Sequence, residues 1–311
     1  MSGRAVPLGD PGPWTSGAVT DRATCVLAGN AGPMTLDGTN SWVLREPGSS
    51  VAVLVDPGPD DSAHLAAVVE AVGDARVARI LLTHGHPDHS DGARSFADRF
   101  RAPVAALDPL HRLGDEGVVG GELVEAGGLE IAVLATPGHT GDSLSFHVIA
   151  DGALLTGDTV LGRGSTVVAY PDGRLGDYLD SLLRLRDLAE STAASYVLPG
   201  HGPALVDPVD VVSAYLAHRQ GRLDQVRAAV AQFGGFDGGA GGADPGGIAP
   251  GPARATGLEV LEGIDWWHQA DRPEPDLADL VVESVYADVP RSVWPAARLS
   301  VLAQLSYLRD G

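Results

Sequence analysis

Short apolar runs closed by turn residues alternate with stretches of helical period over the first two thirds of the chain. Ser41-Trp42-Val43-Leu44-Arg45 and Val51-Ala52-Val53-Leu54-Val55 are too short for helices and rich in branched residues, and the second stops at Asp56-Pro57-Gly58. Both predict strands. From Asp61 the pattern changes: Leu65, Val68, Val69 and Val72 share one helical face behind the start signal Asp60-Asp61-Ser62. The run 77–82 predicts a buried strand that leads straight into Thr83-His84-Gly85-His86-Pro87-Asp88-His89. A helix is predicted over 92–100 and a strand near Val104. Further strands are predicted at 129–134, 143–149, 153–155 and 195–198, with a helix over 177–188. This alternation predicts a layered α/β core.

After His201 a helical period is sustained over 209–232. Residues 233–256 are so rich in Gly, Pro and Ala that they cannot bury a core, and they predict a linker or an inserted surface loop. Leu277, Leu280, Val281 and Val285, then Trp294, Leu299, Leu302, Leu305 and Leu308, predict two or three short helices. That unit is too small for a core of its own, so it is expected to pack on the layered part or on a second copy of the chain in a homodimer. The expected division is 1–230, 231–256 and 257–311. Trp266-Trp267 is read as packing, and His64, His111, His147 and His268 as histidines without ligand context.

Composition narrows the function. With 311 residues, 44% hydrophobic and 20% charged, the chain is an ordinary globular protein. It has no apolar run long enough to span a bilayer, and MSGRAVPLGDPGPW carries neither the basic nor the apolar region of a secretory leader. The lone cysteine, Cys25, cannot form an internal disulfide, which fits a core thiol in a reducing cytoplasm. A net charge of −20 disfavours a nucleic-acid partner, because such proteins gather a basic face. All 21 basic residues are Arg, which excludes lysine Schiff-base or P-loop chemistry. No Gly-x-Ser-x-Gly elbow is present, which argues against a serine hydrolase.

Four predicted strands end in residues of metal-ligand type: His84-x-His86-x-Asp88-His89, Thr136-Pro137-Gly138-His139, Thr156-Gly157-Asp158 and Pro199-Gly200-His201. Five of the ten histidines fall here. An extended loop puts alternate residues on one side, so His84 and His86 can reach one ion together. The turn at Pro87 lets Asp88 and His89 face a second. Imidazole nitrogen with carboxylate oxygen suits Zn²⁺, with iron and manganese as competitors. Gly85, Gly138, Gly157 and Gly200 sit beside these residues, where the backbone must bend tightly or approach closely.

In order along the chain, Asp56, the His84–His89 motif, His139, Asp158 and His201 resemble the metallo-β-lactamase superfamily over residues 20–230. The resemblance implies an αββα four-layer sandwich with the metal site at one edge of the two sheets. It implies that His84, His86 and His139 hold a first zinc, that Asp88, His89 and His201 hold a second, and that Asp158 bridges them. It also implies that Asp56 orients the ligand loop. The stretch Asn30 to Asn40 and the run Leu198-Pro199-Gly200-His201-Gly202-Pro203, followed by Tyr215-x-x-His218-Arg219-x-x-Arg222, are similar to the lactamase-beta-two-like branch. Members of that branch carry a winged-helix-like C-terminal unit, which suits the small α-helical domain expected here. Two departures stand out: the Gly-rich insertion, and a chain that stops at Gly311, where a wing would be expected to begin.

The implied chemistry is hydrolysis by a hydroxide shared between two cations, with Asp88 orienting it. Tyr215, His218, Arg219 and Arg222 share one helix face. Two readings of that face stay open: an anion-binding, substrate-orienting patch, or a face that pins the C-terminal unit. Thr39 and Asn40 are candidates to line the cleft. For the substrate, the first expectation is a small-molecule thioester or ester. The alternatives are single-strand RNA cleavage, which needs a basic track that only Arg219, Arg222 and Arg227 offer, and a single-iron dioxygenase using the three-histidine set alone.

Overall fold

A computed structural model of the chain describes residues 13–234 and 276–310. Two six-stranded sheets face each other. The first runs in the order β1 (Gly17–Ala18), β2 (Ala23–Leu27), β3 (Asn40–Leu44), β4 (Val51–Val55), β5 (Arg76–Leu81), β6 (Val104–Ala105). The second runs β12 (Leu205–Val206), β11 (Tyr196–Pro199), β10 (Ala153–Gly157), β9 (Leu144–Val148), β8 (Leu129–Ala135), β7 (Leu123–Ala126).

Strand alternation builds the layers. Trp42, Leu44, Val53 and Val55 point inward to meet Ile131, Val133, Phe146, Leu155 and Leu198 of the other sheet. Their neighbours Val43, Ala52 and Leu54 point outward, onto α1 (Ser62–Val72) and α3 (Ala93–Phe100) through Val68, Val72 and Phe96. On the far side, α4 (Leu175–Thr192) and α5 (Pro208–Gln232) cover the second sheet through Tyr178, Leu182, Leu185, Val211 and Tyr215. The result is the expected α/β/β/α sandwich. Between β5 and α3 lies α2 (Pro87–Ser90), one turn with Pro87 at its start. Asp56 and the ligand-type residues all follow the carboxyl ends of strands, β4, β5, β8, β10 and β11, at one edge of both sheets.

Four strands carry no prediction from the apolar pattern: the two-residue β1 and β12, and β2 and β7. β2 contains Thr24 and Cys25 in place of a branched run, and every second position of β7 is exposed. For β7 the sequence does hold a signal: Gly127-Gly128, at φ of 58° and 97°, makes the two-residue hairpin turn to β8 that only residues tolerant of positive φ allow.

At the C-terminus stand two helices, α6 (Leu277–Val285) and α7 (Trp294–Asp310), the second 17 residues long rather than short. Their apolar faces, Val281, Val282, Trp294, Val301 and Leu305, close on Val226, Ala229 and Val230 of α5. They therefore complete a core begun by α5, as a unit of this size must. The expected boundary at 231 falls within α5, which runs on to Gln232, whereas the boundary at 257, most of the Gly-rich segment, Trp266-Trp267 and His268 lie outside the described residues. Among the described residues no helix is long and apolar enough to cross a membrane.

Candidate metal centre

Seven of the side chains singled out by spacing converge. His84 Nε2 and His139 Nε2 each lie 3.0 Å from His86 Nδ1. His89 Nε2 lies 3.2 Å from His201 Nε2, and Asp88 Oδ2 is 3.1 Å from the latter. Asp158 reaches into both groups: its Oδ2 is 3.7 Å from His139 Nε2 and 3.4 Å from His201 Nε2, and its Oδ1 is 3.4 Å from His89 Nε2. Sets of three with ligand atoms close enough to share one ion are His84, His86, His139; His84, His89, Asp158; and Asp88, His89, His201.

Whether these residues fit a cation can be tested by following the hydrogens. Thr83 donates its hydroxyl proton to Asp56 Oδ2 at 2.7 Å, so its oxygen accepts from His84 Nδ1 at 3.0 Å. His89 Nδ1 donates to Asp56 Oδ2 at 2.9 Å. His139 Nδ1 donates to the Val167 carbonyl at 2.6 Å, and His201 Nδ1 to the Gly38 carbonyl at 3.2 Å. In neutral imidazole one nitrogen carries the proton and the other a lone pair. In these four histidines the Nδ1–H is thus directed outward, and the Nε2 atoms of His84, His89, His139 and His201 face inward, each bearing a lone pair in the neutral imidazole. Two such nitrogens at 3.2 Å, with carboxylate oxygens around them and Asp158 Oδ1 buried without a hydrogen-bond partner, make a poor hydrogen-bond network and a good cation cage.

Electrostatics split the cluster: without a cation, His89 and His201 hold a proton beside the carboxylates, which a cation would displace. Burial and the crowding of His89, His86 and His139 hold His84 well below the ordinary histidine range, and burial with His139 takes His86 down to about 3. His89 and His201 behave oppositely: burial works against their charge, yet Asp88, Asp158 and Asp56 raise His89, and Asp158 with Asp88 lifts His201 to about 9. Asp88 falls to about 2 despite its burial, drawn down by His89 and His201. One group is neutral donors, the other carries the carboxylates. The side chains of Asp88 and Asp158 are 14% and 11% exposed while that of His89 is fully buried, so the carboxylates form the open side of the cluster.

The backbone permits this crowding at particular points. A Cβ on Gly200 would lie 2.5 Å from Asp158 Oδ1 and 2.7 Å from His89 Cε1, so only glycine lets β11 deliver His201. At Gly138, φ is 139° and a Cβ would strike the Tyr178 backbone.

Asp56, expected from the resemblance to orient the ligand loop, lies against two residues of that loop, Thr83 and His89. It accepts from the Thr83 amide at 2.7 Å as well as from the Thr83 hydroxyl and His89. Thr83, which no spacing argument flags, relays this hold to His84.

The candidate substrate contacts lie elsewhere than expected. Asn40 is fully buried; its Nδ2 donates to the carbonyls of Pro199 and Gly202 at 3.0 and 2.8 Å, pinning the turn that carries His201. Thr39 is equally buried and is bridged to His201 through the backbone. Tyr215 is buried with its hydroxyl 2.9 Å from the Leu161 amide. Arg219, also buried, donates to the Thr166 carbonyl and stacks on Tyr178 at 4.9 Å. Arg222 donates to the Val285 carbonyl and lies over Tyr286 at 4.7 Å. His218 is half-buried between them. Of the four, Arg222 reaches the C-terminal helices, whereas Tyr215 and Arg219 hold the loop 161–166 ahead of α4. Arg227 is exposed and pairs with the equally exposed Asp224, so of the three arginines offered for a basic track only Arg219 and Arg222 are taken up inside the fold.

Comparison with known proteins agrees with the layers and the cluster. The profile of the Metallo-beta-lactamase superfamily matches residues 34–201, and that of the Beta-lactamase associated winged helix domain matches residues 278–310. The chain belongs to the metallo-β-lactamase superfamily and is a metal-dependent hydrolase of that class. The Caenorhabditis elegans protein named Beta-lactamase-like protein 2 homolog is 34% identical over 221 residues, 67% of this chain and 70% of the relative. An Aspergillus chevalieri protein named Atrochrysone carboxyl ACP thioesterase is 32% identical over 218 residues, 68% of this chain and 67% of the relative. These matches thus span about two thirds of each relative's length. A solved Beta-lactamase domain protein from Burkholderia ambifaria shares the fold, with a TM-score of 0.65 at 23% identity over 97% of this chain and 92% of that one. Within the winged-helix match, the described residues contribute helices and no strand.

Proposed function

We propose that the chain is a zinc-dependent hydrolase of a small-molecule thioester or ester, with two cations per chain. The single observation that carries this is the set of four Nε2 atoms turned inward by outward-pointing Nδ1–H groups, with Asp88 and Asp158 among them. When bound, a pair of divalent cations would lower the pKa of a water to about 7 and polarise a carbonyl oxygen. His84, His86 and His139 would hold the first cation, Asp88, His89 and His201 the second, and Asp158 both. Iron or manganese could occupy the same donors.

Asp88 is the catalytic carboxylate in this reading. It is the most exposed of the carboxylates and histidines whose contacts define the cluster, so one oxygen can accept a hydrogen bond from the attacking water and orient it while the other stays with His201. Asp56 and Thr83 keep His89 and His84 in the tautomers the site requires.

Three observations favour an acyl substrate over RNA: the net charge of −20, the commitment of Arg219 and Arg222 to protein contacts, and a relative named for carrier-protein thioester hydrolysis. The lone buried cysteine supports a cytoplasmic setting.

The test is a panel of acyl-thioesters with free-thiol detection, run beside elemental analysis. Turnover that disappears in Asp88→Ala, with about two zinc per chain, is expected. Metal-dependent cleavage of labelled single-stranded RNA without thioester turnover would overturn the substrate class. One iron per chain with oxygen uptake would overturn hydrolysis itself.

A further inference from the structure

His139 and His201 come from different strand ends and stand in different halves of the cluster, yet one loop touches both. It begins just after Asp158. The Gly162 amide donates to the His201 carbonyl at 2.8 Å. Five residues on, the Val167 carbonyl takes His139 Nδ1–H at 2.6 Å, and the Thr166 hydroxyl lies 3.2 Å from the same nitrogen.

The two residues flanking Val167 are themselves held from outside the sandwich. Arg219 of α5 donates to the Thr166 carbonyl, and the Val168 amide donates to Ser300 Oγ of α7 at 3.3 Å. Arg219 is a poor choice for packing alone. It is 4% exposed, its Nε has no hydrogen-bond partner, and no carboxylate is paired with it among the described residues. An apolar side chain of similar volume would fill the place without burying a charge. What arginine adds is a long, rigid donor that reaches the loop carbonyl.

We infer that residues 160–168 form a strap through which α5 and the C-terminal helix α7 set the orientation of His139 and His201, with Arg219 and Ser300 as positioning residues. The inference rests on the metal reading above. It gives the C-terminal helices a task at the metal centre that requires neither a wing nor a bound nucleic acid.

The test uses the full chain, loaded separately with zinc and with cobalt. Wild type is compared with Arg219→Met, Ser300→Ala and Val226→Ala. Val226 is buried on α5 against α6 and α7 and belongs to none of the strap contacts. The readouts are zinc affinity by competition with a chromogenic chelator, the visible spectrum of the cobalt form, and the thermal midpoint of the metal-free protein. Loss of contacts behind a ligand typically weakens metal binding by about 10–100-fold. Arg219→Met and Ser300→Ala are expected to fall in or near that range and to alter the cobalt spectrum. Val226→Ala is expected to lower the midpoint and leave affinity and spectrum as in wild type. Unchanged affinity and spectrum in both strap variants overturn the inference, as does an equal loss in Val226→Ala. If Arg219→Met fails to fold, Ser300→Ala decides alone. A wild type that binds no metal removes the functional reading and the strap with it, whereas a wild type that binds while the variants match it removes only the strap.

Discussion

Two buried polar constellations in this molecule look equally functional on paper: the strand-end histidines and aspartates, and the Tyr215–His218–Arg219–Arg222 face of α5. They differ in where their hydrogens and lone pairs are directed. At the strand ends, protein acceptors take up the outward-facing donors and leave the Nε2 atoms converging on a shared space. On α5, the hydroxyl and the guanidinium groups meet carbonyls, an amide and rings of the protein itself. Both regions keep buried atoms without a partner, Arg219 Nε and His218 Nδ1 on α5 and Asp158 Oδ1 at the strand ends, but only at the strand ends do several ligand-type atoms converge on one space.

The sharpest way to break that comparison is Asp158→Ala. Asp158 approaches both groups of ligands and keeps one oxygen unpartnered. Its removal is expected to cost at least one equivalent of metal, and turnover by more than the roughly 100-fold that the loss of an orienting contact can produce. Elemental analysis beside steady-state rates checks this; retention of two equivalents at full activity would break the contrast.

Asp56→Asn comes next. The shape is kept, but an amide N–H would face His89 Nδ1–H where a carboxylate oxygen now accepts at 2.9 Å. Relieving that clash turns the His89 tautomer and points its proton at the cluster. A loss of about 10–100-fold in metal affinity is expected, read by chelator competition.

The difference between the two regions also explains how much of each is legible in the amino-acid sequence. The ligand cluster can be read there because each residue sits at a fixed offset from a short apolar run, and topology brings strand ends to a common edge. Spacing cannot reveal which carbonyl a side chain will meet. Tyr215 and Arg219 therefore admit two readings, and Asn40, beside the motif residues, is expected in the cleft though it is fully buried behind it. Thr83, Gly38 and Val167 orient ligands through a hydroxyl or through backbone, which residue type does not advertise. Among the strands, β2 escapes the pattern because Thr24 and Cys25 dilute the apolar signal that marks β3 and β4.

Tyr215→Phe tests the other side of the contrast. It removes the hydroxyl that accepts from the Leu161 amide at 2.9 Å and donates to the Gly164 carbonyl at 3.0 Å, at the strap. Leaving such groups unpaired costs about 1–3 kcal/mol. Denaturant unfolding should register that loss while metal content stays at wild-type stoichiometry; loss of metal without loss of stability would place Tyr215 among the residues that act on the ligands through the strap.

The smallest effect is expected at Cys25, a soft ligand type that lies behind the metal end rather than in it. Its thiol is fully buried and donates weakly to Asn40 Oδ1 at 3.3 Å, an oxygen that also receives the Trp14 indole N–H at 2.9 Å. Cys25→Ala should therefore cost less than about 1 kcal/mol, because a thiol is a weak donor and the second partner remains. Burial pushes the thiol up to about 12, partly offset by Trp14. At pH 8 the thiolate fraction is then about 10⁻⁴, so a thiol reagent should label the native chain far more slowly than the unfolded one. Below about pH 8 the thiol is protonated in both states and contributes nothing to pH dependence. Between about 9 and 12 the unfolded chain releases the proton that the native state retains, and this site lowers native stability by up to ~1.4 kcal/mol per pH unit. The wild type should lose stability faster than Cys25→Ala across that alkaline window, as measured by urea unfolding at each pH. Parallel curves would mean that the thiol is not held in the apolar layer between the sheets.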